Sequence, residues 1–223
     1  MYLHFVTVFF VQHLRSRRET VRLETFNRCA VRHFFIFLGI CCFIFSYKCY
    51  NIKNEERRRR RMDRLEALFK KAECGETFRI PADLMPDYIR YAYTKHPAVS
   101  RFFHIEVEEV SRGRITVGMD VVPAYTNSGG FLYGGILAAM ADAMSLGLIV
   151  SVGKSAVTTN LSMNFVKTHP IGGRIHLHGT IRHNGRRMLS LHGEIRGNKG
   201  ELLSDIEISM LVTGRLPEVP ECW

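Results

Sequence analysis

The sequence predicts an α+β domain in which an antiparallel sheet wraps one long buried helix, carried behind an N-terminal extension. Three observations predict it. Residues 134–152 form a nineteen-residue apolar run with a single charge, Asp142, too long for an ordinary strand. Apolar–polar alternation at period two lies on both sides of that run. Short stretches bearing Gly, Pro and Asn separate the alternating runs. A helix apolar on every side must be buried, and wrapping the sheet around it is the economical way to bury it.

The extension covers residues 1–61. It holds 13 of the 31 Lys+Arg and only 4 of the 21 Asp+Glu, so nearly all of the net charge of +10 belongs to it. The remainder is close to neutral, and basicity therefore does not mark the folded part as a nucleic-acid binder. Cys29, Cys41, Cys42 and Cys49 lie in the extension, and Cys74 and Cys222 beyond it. No CxxC pair or Cys/His spacing suggests zinc. No disulfide framework is legible, so a reducing compartment is the default.

Residues 1–11 and 34–47 (FFIFLGICCFIFSY) are apolar. At about 1.5 Å per residue the second run reaches roughly 21 Å, short of the ~30 Å hydrocarbon core. It spans only if the bilayer thins or its flanks snorkel. The arginines at 57–61 would then hold the C-terminal domain on the cytosolic or matrix side. Three readings stay open. Six arginines before Phe34, against Glu19 and Glu24 as the acids, fit a mitochondrial targeting segment. Residues 34–47 fit membrane contact or an anchor. Translation from Met62, which opens MDRLEALFKKAE, would leave a cytosolic domain. The arginine run by itself is an ordinary solvated tail.

Residues 62–99 read as a helical lead-in. Leu65, Leu68 and Phe69 recur among charges as one amphipathic helix, and residues 83–96 form a second that Pro97 ends. The domain proper is residues 100–214. Phe103, Ile105, Val107 and Val110 mark a strand, residues 111–114 a turn, and Ile115, Val117, Met119 and Val121 the next strand. Loop 123–133 and the long helix come next. Runs 156–167, 174–183, 187–196 and 202–213 then read as a four-stranded meander, with Asn184-Gly185 as the strongest hairpin signal. No internal repeat is visible after residue 61.

The long helix carries the chemistry. At a bilayer centre Asp142 would cost about 2.5–3.5 kcal/mol, and Gly134, Gly135 and Gly147 would weaken a span, so a soluble core helix is the better reading. In a core, an unpaired carboxylate is expensive. Asp142 therefore either accepts hydrogen bonds from a neighbouring strand or does chemistry. Gly134 and Gly135 open the helix, where free N–H groups and the dipole favour negative charge. Their plain alternative is a tight loop-to-helix turn. Asn127 precedes the helix by seven positions. Together these groups could form an oxyanion hole and a general base.

The run from Asn127 to Asp142, NSGGFLYGGILAAMAD, resembles the Asn…His-Gly-Gly…Asp signature of hotdog-fold acyl-CoA thioesterases, in the phenylacetyl-CoA thioesterase-like branch. TTNLSMNFVK, residues 158–167, is similar to that family's first strand after the helix. The resemblance extends over roughly residues 100–213. It implies a hotdog fold, a homodimer or dimer of dimers, and hydrolysis of acyl-CoA thioesters to free acid and coenzyme A. It implies no metal and no separate cofactor, since coenzyme A is part of the substrate. Asp142 would activate water or attack the thioester. The Gly134 N–H and the Asn127 side chain would polarise its carbonyl, and Thr158 would help position the water. Thr158 can equally be an ordinary β-branched strand residue.

Tyr133 stands where many members carry His; a phenol donates a hydrogen bond but is no base near neutral pH. Tyr133 and Gly135 would lie beside the substrate. Lys167, Arg186 and Arg187, at strand ends or in a hairpin turn, would meet coenzyme A phosphates. Arg174 reads better as a solvated turn charge. The alternative function is a catalytically weak hotdog subunit that binds acyl-CoA or serves as a scaffold. A membrane-anchored adaptor rests on the extension alone.

Overall fold

The computed structural model describes residues 29–223, with side chains from residue 51 onward. The expectations for residues 1–28, including the arginine-rich part of the targeting reading, lie outside the described residues. Helix α1, Cys29–Glu73, runs without a break through residues 34–47 and the arginines at 57–61. The chain divides into two compact units between Arg57 and Arg58. The second, Arg58–Trp223, holds the sheet and the helices packed on it.

Within it, the end of α1 packs as its spacing requires. Leu65 is fully buried, Leu68 and Phe69 are partly buried, and Phe69 stacks on Tyr91 with ring centroids 4.8 Å apart. Tyr91 belongs to α2, Met85–Lys95, which has proline in its first turn and stops before Pro97. The expected strand start at Phe103 is not formed. The Phe103 N–H donates to the Ala98 carbonyl and the Ile105 N–H to Val99, closing a π-type turn over Ala98–Phe102. Strand β1 therefore begins at Glu106 and runs to Ser111.

Five more strands complete the sheet: β2 Arg114–Asp120, β3 Lys154–Phe165, β4 Arg174–Asn184, β5 Met188–Arg196 and β6 Leu202–Arg215. Helix α3, Gly134–Ser151, sits between β2 and β3 in sequence. All neighbours pair antiparallel in the order β1-β2-β4-β5-β6-β3. The expected four-stranded meander is thus a three-stranded one, β4-β5-β6. Strand β3 pairs with β6 at the far edge, because α3 crosses beneath the sheet before β3 begins. The link back to β4 crosses the open end of the sheet. It is fastened there by Leu132 N–H to His169 O, 2.8 Å, and Gly172 N–H to Val121 O, 3.0 Å. The Asn184-Gly185 turn forms one step late: Asn184 stays in the ladder opposite Leu189, and Gly185, Arg186 and Arg187 make the tip.

The core lies between α3 and the sheet. Met140, Met144 and Leu148 from the helix are fully buried against Val117, Leu177, Leu191 and Ile206. Each such side chain removed from water contributes about 1.5–3 kcal/mol. Gly147 lets the helix approach β2: a Cβ there would collide with Ile115 and lie 3.0 Å from the Tyr93 hydroxyl. Among the described residues, α3 is the one helix long and apolar enough to cross a membrane, and it is largely buried inside the sheet. The burial is incomplete. Gly135 and Asp142 are exposed and Ala138, Ala139 and Leu146 half-buried, so one stripe of α3 stays open beside β3.

Candidate active site

That open stripe corrects one expectation. Asp142 is not a buried charge in need of compensation; its carboxylate faces out, and Thr158 Oγ1 donates to Asp142 Oδ1 at 2.8 Å. The contact results from chain geometry. Asp142 lies nine residues before the end of α3 and Thr158 four residues into β3. At about 1.5 Å per helical residue and 3.3 Å per strand residue, both sit about 13 Å from the connection. Thr158 is therefore more than a strand former.

The helix segment carrying Asp142 is pinned from the other side. The buried Tyr93 hydroxyl donates to the Ala143 carbonyl at 2.8 Å. Burial pushes the Tyr93 phenol well above its ordinary value, so it stays protonated and remains a donor. Sequence reasoning missed Tyr93, because only the fold brings it fifty positions along the chain to the helix.

At the other end of α3, Tyr133 caps the helix without a side-chain bond. Among the described residues the N–H groups of Gly134 and Gly135 have no protein acceptor. The exposed Tyr133 ring lies over Gly135, where a Cβ would sit 2.7 Å from it. The Phe165 ring lies against Gly134, where a Cβ would sit 3.1 Å away. Asn127 shapes the preceding loop: its Oδ1 accepts from Gly129 N–H at 2.9 Å and Phe131 N–H at 3.2 Å. Its amide nitrogen, the atom an oxyanion would require, is left free of protein bonds among the described residues.

A cavity of about 250 Å³ opens beside Gly134. Leu137, Phe165, Lys167, His169 and Leu203 are among its walls. It brings Lys167 to the helix N-terminus, as a phosphate- or carrier-binding role would need. Phe165 and His169 were not legible as site residues. Arg186 and Arg187 are elsewhere. They form the exposed β4–β5 tip, level with Ala156, whereas Lys167 comes just after Phe165 at the opposite end of the sheet. One chain does not bring these three cations together. Arg174 is neither free nor merely solvated: it bonds Glu106, Glu108 and Asp120 at 2.8–3.0 Å across the bare backbone of Gly118.

A second cluster lies away from this site. His192, Glu194 and Asp205 place one potential ligand atom each within 4.8 Å of one another on β5 and β6. Arg196 Nε and Nη2 both donate to Glu194 Oε2, and the His192 ring meets Glu207 at 3.0 Å, so these charges already have protein partners.

Residues 129–204 match the family model described as Thioesterase superfamily. No curated protein matches the chain. Among solved structures, a Streptococcus mutans protein bound to acetyl-CoA is similar at 25% identity, with 51% of this chain and 92% of that chain covered and a TM-score of 0.50. The Escherichia coli PaaI protein, from the phenylacetic acid degradation operon, shares the fold at 18% identity over 63% of this chain and 100% of that chain, with a TM-score of 0.57. Zebrafish thioesterase superfamily member 2 does so at 20% identity over 60% and 99%, with a TM-score of 0.51. The order of sheet and helix is that of the hotdog fold, and residues 129–204 are similar to the thioesterase superfamily; together these support thioester hydrolysis as the general chemistry.

Proposed function

We propose that this domain hydrolyses acyl-CoA thioesters, with Asp142 as its working carboxylate and with each site shared by two copies of the chain. The observation that carries the reading is the exposed Asp142 carboxylate, held by Thr158 at 2.8 Å on an otherwise apolar helix. A solvent-facing acid on a core helix adds nothing to packing. The Streptococcus mutans neighbour, solved with acetyl-CoA, supports the substrate class.

In this reading the Gly134 N–H and the Asn127 amide receive the thioester oxygen as it gains negative charge. Asp142 takes a proton from the water that attacks the carbonyl carbon, and Thr158 fixes the carboxylate and that water. Collapse of the tetrahedral intermediate breaks the C–S bond, leaving the carboxylic acid and the coenzyme A thiol. Direct attack by Asp142 is the other route open to the same carboxylate.

The sharing is a matter of distance. Gly134 and Asp142 are eight residues apart on one helix, about 12 Å along its axis. Strand β3 is a sheet edge of 12 residues bearing exposed Val157 and Phe165. A long edge of this kind favours pairing with another chain. Antiparallel pairing with a second copy turns Gly134 of one chain toward Asp142 of the other. A homodimer suffices, and a dimer of dimers is compatible with it.

The test is thiol release by the full chain across acyl-CoA substrates from acetyl to long-chain. Release above the uncatalysed rate with at least one of them is expected. Binding without release would instead support the weakly catalytic binding or scaffold subunit. Tyr133 favours that second reading, because it replaces an imidazole with an exposed phenol at the helix start.

A further inference from the structure

We infer that His169 is a substrate-binding residue, whose imidazole Nε2 accepts a hydrogen bond from the first amide N–H of the thiol carrier. The inference rests on the acyl-thioester reading and deepens it. His169 is 4% exposed, and it sits in the link from β3 to β4. Its carbonyl accepts from Leu132 N–H at 2.8 Å, which fixes the residue next to the strand-like segment that enters α3. Its Nδ1 lies 2.7 Å from the Pro170 carbonyl. A carbonyl can only accept, so Nδ1 carries the hydrogen, and in the neutral ring Nε2 is the acceptor.

Nε2 has no protein partner among the described residues. No side-chain nitrogen or oxygen there is both sealed from solvent and unbonded. Nε2 therefore keeps contact with solvent, and His169 lines a cavity together with Gly134, Phe165 and Lys167. A ligand that fills the cavity and displaces water from Nε2 must supply a donor in its place, or the acceptor is left unpaired at a cost.

Position sets the ligand chemistry. A cavity of about 250 Å³ is roughly 8 Å across if spherical. With the thioester oxygen on the Gly134 N–H, the sulfur and the two methylenes after it fill most of that span. The next polar group along a pantetheine arm is an amide, whose N–H is the donor Nε2 lacks. Apolar Leu137, Phe165 and Leu203 suit the methylenes, and Lys167 stands at the same cavity for charge further along the carrier.

The test uses the full chain and two thioester substrates with the same acyl group. One is an S-acyl-N-acetylcysteamine, which keeps the amide. The other is an S-acyl alkanethiol, which has none. His169→Asn keeps a nitrogen near the Pro170 carbonyl and removes Nε2; His169→Gln restores a polar acceptor near the Nε2 position. The expected result for His169→Asn is a KM about five- to tenfold higher for the amide substrate, the range of one hydrogen bond, with kcat within about twofold. The amide-free substrate should show no change, and His169→Gln should recover part of the loss.

Calorimetric binding of coenzyme A reads the same contact without turnover and should weaken by a similar factor in His169→Asn. If the wild-type chain binds coenzyme A but hydrolyses nothing, the hydrolase reading fails while this comparison still decides the role of His169. Equal losses on both substrates, unchanged coenzyme A affinity in His169→Asn, or no binding of coenzyme A by the wild-type chain would each overturn the inference.

Discussion

Asp142 and Thr158 are sixteen positions apart and meet because strand β3 leaves α3 through a short turn at Gly153, whose φ is +70°, and runs back beside it. This part of the site was legible in the sequence, since a lone charge on an apolar run and a hydroxyl a fixed distance past its end are one-dimensional signals. Tyr93, Phe165 and His169 were not, because nothing local distinguishes them from core or loop residues. Asp142→Asn keeps an oxygen for the Thr158 hydroxyl and removes the base. It should lower kcat/KM for acyl-CoA at least about a hundredfold, the lower range for a positioned general base. Because Asp142 is exposed, thermal unfolding should shift by no more than a few degrees. Retention of activity within threefold would remove Asp142 from the mechanism, and a large fall in melting temperature would assign it to stability instead.

At the scale of elements, period and turn chemistry located five of the six strands closely and the long helix at its start. They did not determine strand order. The pairing of β3 with β6 depends on where α3 crosses, and that is a tertiary property. Nor did they separate the two ends of the sheet, and this bears on the cations. Arg186 and Arg187 project from the β4–β5 tip, far from Lys167 of the same chain. If they meet the nucleotide end of coenzyme A, charge reversal at both should raise KM for acyl-CoA more than it lowers kcat, since remote charges bind ground and transition states alike. Acyl-pantetheine, lacking the nucleotide, should be nearly indifferent. Equal losses on the two substrates would move the nucleotide elsewhere.

The C-terminal end of helix α1 packs on the domain. Among its residues whose side chains are described, from residue 51 onward, the buried Leu65 and the partly buried hydrophobics Met62, Leu68 and Phe69 all fall at or after Met62. A chain of residues 62–223 should therefore be soluble, folded and active; insolubility would show that the segment before it is needed for packing. The full chain fused to a fluorescent protein should reach mitochondria if the targeting reading is right, and a diffuse cytosolic signal would favour translation from Met62.

At the scale of the whole molecule, the open stripe of α3, the edge of β3 left unpaired among the described residues and the separation of Gly134 from Asp142 would all be resolved by the proposed two-fold pair of chains. A base and an oxyanion donor must both come within about 3 Å of the reacting atoms, and one helix cannot bring groups about 12 Å apart to a single carbonyl. In the proposed dimer a two-fold axis across the β3 edges would supply Gly134 and Asn127 from one chain and Asp142 and Thr158 from the other. The same axis would bring the Lys167 end of one sheet toward the Arg186–Arg187 end of its partner, collecting the cations that one chain keeps apart. The discriminating experiment co-expresses two variants. Asn127→Asp keeps the Oδ1 that holds the Gly129 and Phe131 amides and replaces the side-chain donor with a carboxylate oxygen that would repel an oxyanion. Asp142→Asn removes only the base. Each homodimer should be impaired at both sites. In the mixed dimer one site regains both groups while the second lacks both, so about half of wild-type activity per dimer is the expected ceiling. Recovery toward that value, with mixed dimers confirmed by mass, supports the shared site. No recovery in such dimers would confine each site to a single chain and require α3 or the 127–133 loop to move by most of those 12 Å during turnover.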